Sequence, residues 1–489
     1  NEPDKVNRVV YQAFLCSVAL ALGVMAPLGY VLSPSLLGLI NAGTIAISNA
    51  NQLGDSPGAS VLDQLTLNGG TLRSFGSTVN FAADNREFYL GANGGTFETV
   101  TNLTIDNPIS GPGSLTKTGT ATLFLTDPNS YTGATNILAG TLAFGGGNDR
   151  LANTTAVSIS SGATLDLVQF SDTVGSIAGA GTIAASGTGA VTLTFGELNT
   201  NTTFSGTITD AAGSTLSLVK NGTGTTILSG AGANTFDGTV TINSGGALNI
   251  QKNSALGSTA GGTTVATGGA LEVQGGITVT GEALSLSGSG LSTDGALRSI
   301  SGNNTLTGVI TLAAATTLQS DADTLTLATG GITAANQNLA VTGSGNTTIS
   351  GAITTGSGTL AKSGSGTVTL SGANTYTGAT TVTAGMLVTQ NAAGLGTNAA
   401  GTTVSSGATL VLGSGTFTTS EGLTLSGQGV GGNGALRNLD NDHTLSGNIA
   451  LAAETYVGVQ GGTTLTASGV ISGTGFGLTK LDTGTLVLS

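Results

Sequence analysis

The sequence predicts an all-β fold, a right-handed parallel β-helix (β-solenoid) with coils of about 20 residues. Three observations lead there. Gly accounts for 82 of 489 residues, only 8% are charged, and there is no Trp. Segments such as "GTVTL" (366–370) alternate Thr with Val and Leu, the period of a strand with one buried face. Closely similar strings recur: "GSGTLAKSGSGTVTLSGANTYTGATTVTAGMLV" at 356–388 repeats the pattern of "GPGSLTKTGTATLFLTDPNSYTGATNILAGTLAF" at 111–144. One coil of two or three short strands cannot bury its apolar face alone. Stacked coils pair every strand above and below and make one continuous core.

Composition excludes several classes. Disorder needs low hydrophobicity or high net charge, but 38% of residues are hydrophobic and the mean hydropathy is +0.29. A net charge of −13 argues against nucleic acid, which calls for a basic stripe, and against docking to anionic membranes. Cys16 is the only cysteine, which leaves disulfides and thiolate metal sites without support.

The N-terminal 1–40 reads as an apolar signal-like, anchor or cap segment. Lys5 and Arg8 precede an uncharged run from Val9 to Gly54. A basic stretch before an apolar core is the export-signal pattern, with Val24-Met25-Ala26 or Ile40-Asn41-Ala42 as cleavage sites. The run is also long enough for an anchor, although Pro27 and Pro34 interrupt a straight helix. Membrane contact, if any, falls on residues 9–40, where the segment stays uncleaved. Residues 41–489 read as a single continuous β-helix.

Four segments share one strand pattern: "LTKTGTATLFL" from Leu115, "LVKNGTGTTIL" from Leu218, "LAKSGSGTVTL" from Leu360 and "LTKLDTGTLVL" from Leu478. Lys117, Lys220, Lys362 and Lys480 occupy one slot. Three copies continue into an aromatic turn at Tyr131, Phe236 and Tyr376. The fourth stops at Ser489, where the pattern demands a turn, so a longer chain is expected. A longer duplication surrounds these copies: "GALRSISGNNTLTGVITLAA" from Gly295 matches "GALRNLDNDHTLSGNIALAA" from Gly434. Arg73 to Lys117 spans 44 residues and Arg437 to Lys480 spans 43, but Arg298 to Lys362 spans 64. The extra stretch fits "ANQNLAVTGSGNTTISGAIT" (335–354), and an insertion that leaves both flanks intact is one structural layer. Some 440 residues then give about 22 coils and a rod on the order of 100 Å long. An antiparallel sandwich array is the alternative, and it predicts regular hairpin turns.

The string at 356–388 resembles the autotransporter-associated β-strand repeat, also called the passenger-associated transport repeat. "DQLTLNGGTLRS" (63–74) and "LGANGGTFETVTNLTIDNPISGPGSLTKTG" (90–119) look like coils that accompany it. The resemblance implies a bacterial autotransporter or adhesin passenger, secreted or held at the outer-membrane surface, often followed by a translocator barrel. No stretch of alternating ten-residue strands with aromatic girdles appears in this sequence.

Residues able to do chemistry are few. His443, the only histidine, lies in "LDNDH" where the other copy has Asn304, which reads as a turn residue rather than a triad base. Asp440 and Asp442, and Asp321 and Asp323, have Asp-x-Asp spacing but do not continue into a calcium loop. The repeat lysines lie too far apart for one site and read as an exposed stripe. Tyr131, Phe236 and Tyr376 are positioned to stack on sugars or to cover coil edges. No catalytic, cofactor-binding or metal residue is assigned, and no cofactor is expected. The sequence reads as a non-enzymatic structural rod acting in adhesion or an extracellular matrix. The alternatives are the stalk of a polysaccharide-active enzyme and a self-assembling fibre subunit. Partners would be glycans, other surface proteins, or a second copy meeting coil end to coil end.

Overall fold

The computed structural model describes residues 39–53, 61–81 and 85–489. Residues 1–38, which carry most of the signal, anchor or cap segment and Cys16, lie outside the described residues. The first described strand, Leu39–Ile40, pairs in parallel with Thr66–Leu67. Among the described residues there is no α-helix, and three short 3-10 turns interrupt the strands at Ala50–Leu53, Leu291–Thr293 and Val430–Gly432.

The strands stack in parallel as a β-solenoid of about 19 turns with about 22 residues each. At about 4.8 Å per coil, the rod is about 90 Å long. The coils are slightly longer, and therefore fewer, than the sequence spacing predicted. Loops such as 289–296, between the strands Leu284–Gly288 and Leu297–Ser301, add residues without adding a strand. The antiparallel alternative is overturned, since sequential neighbours wind onward and pair with the coil above rather than folding back as hairpins.

One coil shows the plan. Residues 310–312 form the first face, 316–319 the second and 324–327 the third. The next coil repeats this with 332–334, 339–342 and 346–349, each in register with the strand below. On every face, alternate residues point inward. The inward file on the second face runs Leu318, Val341, Lys362, Val382, Val404, Leu425. In these two coils the outward positions are mostly Thr, with Ala, Asn and Gln, so the pleat does most of the sorting of apolar from polar. Near the N-terminal end the core holds aromatics in edge-to-face contact from different faces, with Phe81–Phe88 ring centres 5.2 Å apart and Phe88–Phe97 6.0 Å apart. Each fully buried aliphatic side chain contributes about 1.5–3 kcal/mol.

The inserted stretch in the middle unit is one whole layer. In that unit Leu318 pairs with Val341 and Val341 with Lys362. In the later unit the equivalent Val457 pairs directly with Lys480.

Candidate functional site

The repeated polar side chains lie inside the rod. Lys117, Lys220 and Lys362 are 0%, 1% and 2% exposed, which corrects the reading of an exposed stripe. Each stands two residues after a Leu on a strand, so the pleat turns it inward with that Leu. The Lys362 ammonium then donates to the carbonyls of Ser363 (2.8 Å), Gly364 (2.8 Å) and Ala384 (3.0 Å). Lys117 does the same with Thr118, Gly119 and Ala139. Two of the three acceptors lie in the turn that ends the lysine's own strand, and the third lies one coil on. The ammonium fastens two successive corners together. Gly385, at φ 65°, leaves room for this: a Cβ there would lie 2.8 Å from Lys362 Nζ and 2.5 Å from the Gly366 carbonyl. Lys220 donates to Asn221 and Gly222. Burial pushes the pKa of all three lysines down to about 8. Lys480, in the last described coil, donates to Leu481 and Asp482 and is exposed.

Nor do the lysines share a stripe. Lys117 and Lys362 lie on one continuous sheet, Lys220 on a second and Lys480 on the third. Successive repeats do not span a whole number of turns, so the same motif enters the solenoid at different faces.

The aromatics are also internal. Tyr131, Phe236 and Tyr376 are all 0% exposed, so they neither cover coil edges nor meet sugars. The Tyr131 hydroxyl bonds to Thr135 Oγ1 (2.6 Å), which bonds in turn to Thr155 Oγ1 (3.0 Å). Tyr376 bonds to Thr380 Oγ1 at 2.8 Å. Burial raises both phenol pKa values well above their ordinary range.

Two devices escaped the sequence reading. The first is an asparagine two residues before each aromatic. Asn374 Oδ1 accepts from Ile353 N (2.8 Å) on the coil below, and its Nδ2 donates to Gly394 O (2.6 Å) on the coil above. Asn129 joins Ile109 N to Arg150 O, and Asn234 joins Ile208 N to Ala255 O. At a corner where the backbone turns away, the side-chain amide replaces the missing peptide rung. The second is Lys252, 7% exposed, which donates to Gly206 O, Gly232 O and Asn234 Oδ1 and so ties three coils. The signal for the asparagines was in the sequence: "NSY", "NTF" and "NTY" set an amide two residues before the ring in all three copies.

His443 begins the strand His443–Leu445 and is 2% exposed, which corrects its reading as a turn residue. Its equivalent Asn304 is equally internal, accepting from Gly276 N and Ile277 N. His443 Nδ1 meets Asn438 Oδ1 at 2.6 Å, and its ring packs edge-on against Phe417, centres 4.3 Å apart. Burial lowers its pKa. Among the described residues no nucleophile bonds to either ring nitrogen. Asp442 accepts from Thr464 N, Asp323 from Gly302 N, and Asp321 from Arg298 Nε. Among the described residues no three His, Cys, Asp or Glu side chains converge as a metal site would require.

One buried carboxyl has a sharper property. Asp172 Oδ2 accepts from Arg150 N (2.9 Å) and Leu151 N (3.0 Å), while its Oδ1 has no partner. Burial pushes its pKa up to about 7. A folded-state pKa above the unfolded value means the contribution is whole below about pH 4 and is lost as pH rises through 7. The coils around 150–172 are therefore expected to loosen between about pH 4 and 7, by about 4 kcal/mol at most. Hydrogen exchange at the Arg150 and Leu151 amides checks this. Asp172→Asn is expected to abolish the pH dependence.

With the interior occupied by structure, the outside is what remains for partners. On the third face an outward file of Thr278, Thr305, Thr326, Thr348 and Thr369 runs in register over five coils.

Comparison with known proteins fits this architecture. Residues 115–144, 218–250 and 360–388 match the model of the passenger-associated-transport-repeat family. A curated relative, the Adhesin BmaC autotransporter of Brucella suis biovar 1 (strain 1330), is 37% identical over 196 residues. The alignment covers 38% of this chain and 5% of that relative, so the chain spans a small part of the relative's length. No solved structure matches. The resemblance read from 356–388 is borne out: the chain carries passenger-associated transport repeats.

Proposed function

We propose that the chain is part of a bacterial autotransporter passenger, secreted or displayed at the cell surface, and acts as a non-enzymatic adhesive rod. The observation that carries this reading is the placement of the repeat-specific polar groups. Lys117, Lys362, Asn129, Asn374, Tyr131 and Tyr376 are all internal and bond to the backbone or to structural threonines. What repeats is the construction of the rod, and what varies is its surface. The matched family and the adhesin name of the relative support the same reading. A net charge of −13 keeps such rods soluble and apart from one another.

The test displays residues 41–489 on a non-adherent bacterium through a heterologous translocator. Adhesion to glycan-coated and bare surfaces is expected to rise several-fold over cells displaying the translocator alone. Unchanged adhesion, or turnover of a polysaccharide by the purified chain, would overturn the proposal.

A further inference from the structure

The two long duplicated units, 284–320 and 423–459, share a backbone and differ in what lies on it. Each opens with a strand, Leu284–Gly288 or Leu423–Gly427, whose register slips against the strand above. Each then lifts into a 3-10 turn after a glycine at positive φ, Gly290 (74°) or Gly429 (72°). In each the strand above, Ile310–Ser320 or Ile449–Val459, turns a corner at a threonine. Thr316 Oγ1 donates to Ala314 O (2.8 Å) and Leu286 O (3.1 Å), and Thr455 Oγ1 to Ala453 O (2.9 Å) and Leu425 O (3.1 Å). The same shelf is built twice.

The side chains on the two shelves part company. The first unit places Ser289, Ala315 and Thr317 where the second has Gln428, Glu454 and Tyr456. Backbone needs do not explain the exchange, because the backbone is held identically by the threonine and the glycine. In the second unit these residues, with Ser406 and Phe476, line an open groove of about 720 Å³ floored by Gly407, Gly427 and Gly429. Glu454 Oε1 accepts from Gly477 N at 3.1 Å, which holds the carboxylate in place. Its other oxygen accepts no hydrogen bond from the described residues.

We propose that this groove binds a pyranose unit of a neutral or N-acetylated oligosaccharide. The inference rests on the adhesive reading above and gives it a ligand class. A ring such as Tyr456 offers a flat apolar face for the C–H side of a sugar. Gln428 supplies both a donor and an acceptor, Glu454 an acceptor for sugar hydroxyls, and Ser406 a further hydroxyl. Gly407, with open space where a Cβ would stand, lets a ring approach the backbone closely. The carboxylate, in a chain of net charge −13, disfavours anionic sugars.

The experiment uses the full chain with three probes: cellotetraose, tetra-N-acetylchitotetraose and tetragalacturonate, followed by calorimetry. One or both neutral probes are expected to bind and the anionic one not. Tyr456→Ala and Glu454→Gln are each expected to weaken binding roughly tenfold or more, while Thr317→Ala on the sister shelf leaves it unchanged. Transplanting the shelf (Ser289→Gln, Ala315→Glu and Thr317→Tyr together) is expected to add a second site. Failure of both neutral probes to bind, or an undiminished affinity in Tyr456→Ala, overturns the groove. The display assay on the same variants separates the two readings. A chain that promotes adhesion but binds no probe overturns the groove alone. One that binds probes through Tyr456 without promoting adhesion overturns the adhesive reading alone.

Discussion

Excising residues 334–354 is expected to leave a folded, soluble rod one coil shorter. The cut removes 21 residues and brings the Arg298–Lys362 spacing to 43, the value that Arg437–Lys480 already has. The strands left facing each other have met their like elsewhere: Val457 pairs with Lys480 without an intervening layer, so Leu318 can pair with Lys362. A stacked repeat chain tolerates this because each coil touches only its neighbours. Removing 334–343 instead leaves half a coil. That cut sets strands of one face against corners of another and strands the buried backbone groups of both. The first variant should keep the circular dichroism and protease resistance of the parent and shorten by about 5 Å in solution scattering. The second should be insoluble or rapidly degraded. Equal behaviour of the two cuts would show that the layer is not the unit of folding.

Lys362→Met is expected to open the corner that the ammonium now fastens. Methionine fills much the same volume, so the change isolates the polar contribution. It leaves the carbonyls of Ser363, Gly364 and Ala384 without their shared donor. Unpaired buried acceptors carry about 1–3 kcal/mol, set against the relief of no longer burying a charge. Hydrogen exchange should rise at the two coils around 363–366 and 384–386 and stay unchanged ten coils away. The sign with pH is fixed by the lowered pKa. The folded chain releases this proton near pH 8, the unfolded chain near 10.5. Between those values the unfolded state binds more protons, so the wild type gains stability as pH rises. The gap between wild type and variant should therefore widen from pH 8 to 10.5. A gap that narrows would show that the lysine is not held as a buried ammonium.

Much of the fold was legible because it rests on period and repetition. Alternation in "TVTL" places Val368 and Leu370 inward, and the structure buries both. The spacing of Arg and Lys showed that one layer had been inserted, and the pairing of Val341 between Leu318 and Lys362 is that layer. The interior of the site was misread for one physical reason. Lysine, asparagine and histidine usually stay in water, and that expectation overrode the pleat. Yet Leu360 and Lys362, and His443 and Leu445, are each two residues apart on one strand, which puts each pair on one side. Parity was the better guide. What parity does not reveal is where the ammonium finds its acceptors, because Ala384 lies one coil away from Lys362. The groove at Tyr456 was hidden for a related reason. It joins residues from four successive coils, and only the stacked register brings Ser406, Gln428, Tyr456 and Phe476 together.

The lysine and asparagine bridges between successive coils bear on what happens when the rod is pulled. Tension applied along the axis peels coils from an end one at a time, since each is held only by its neighbour. A freed coil of about 22 residues extends to some 70 Å of chain, many times the height it occupied in the stack. The rod thus holds a large reserve of length and releases it in steps. Coils closed by Lys117, Lys252 or Lys362 are expected to give way later than plain ones. A tether built in this way would lengthen under flow and let many weak contacts share the load before any one of them breaks.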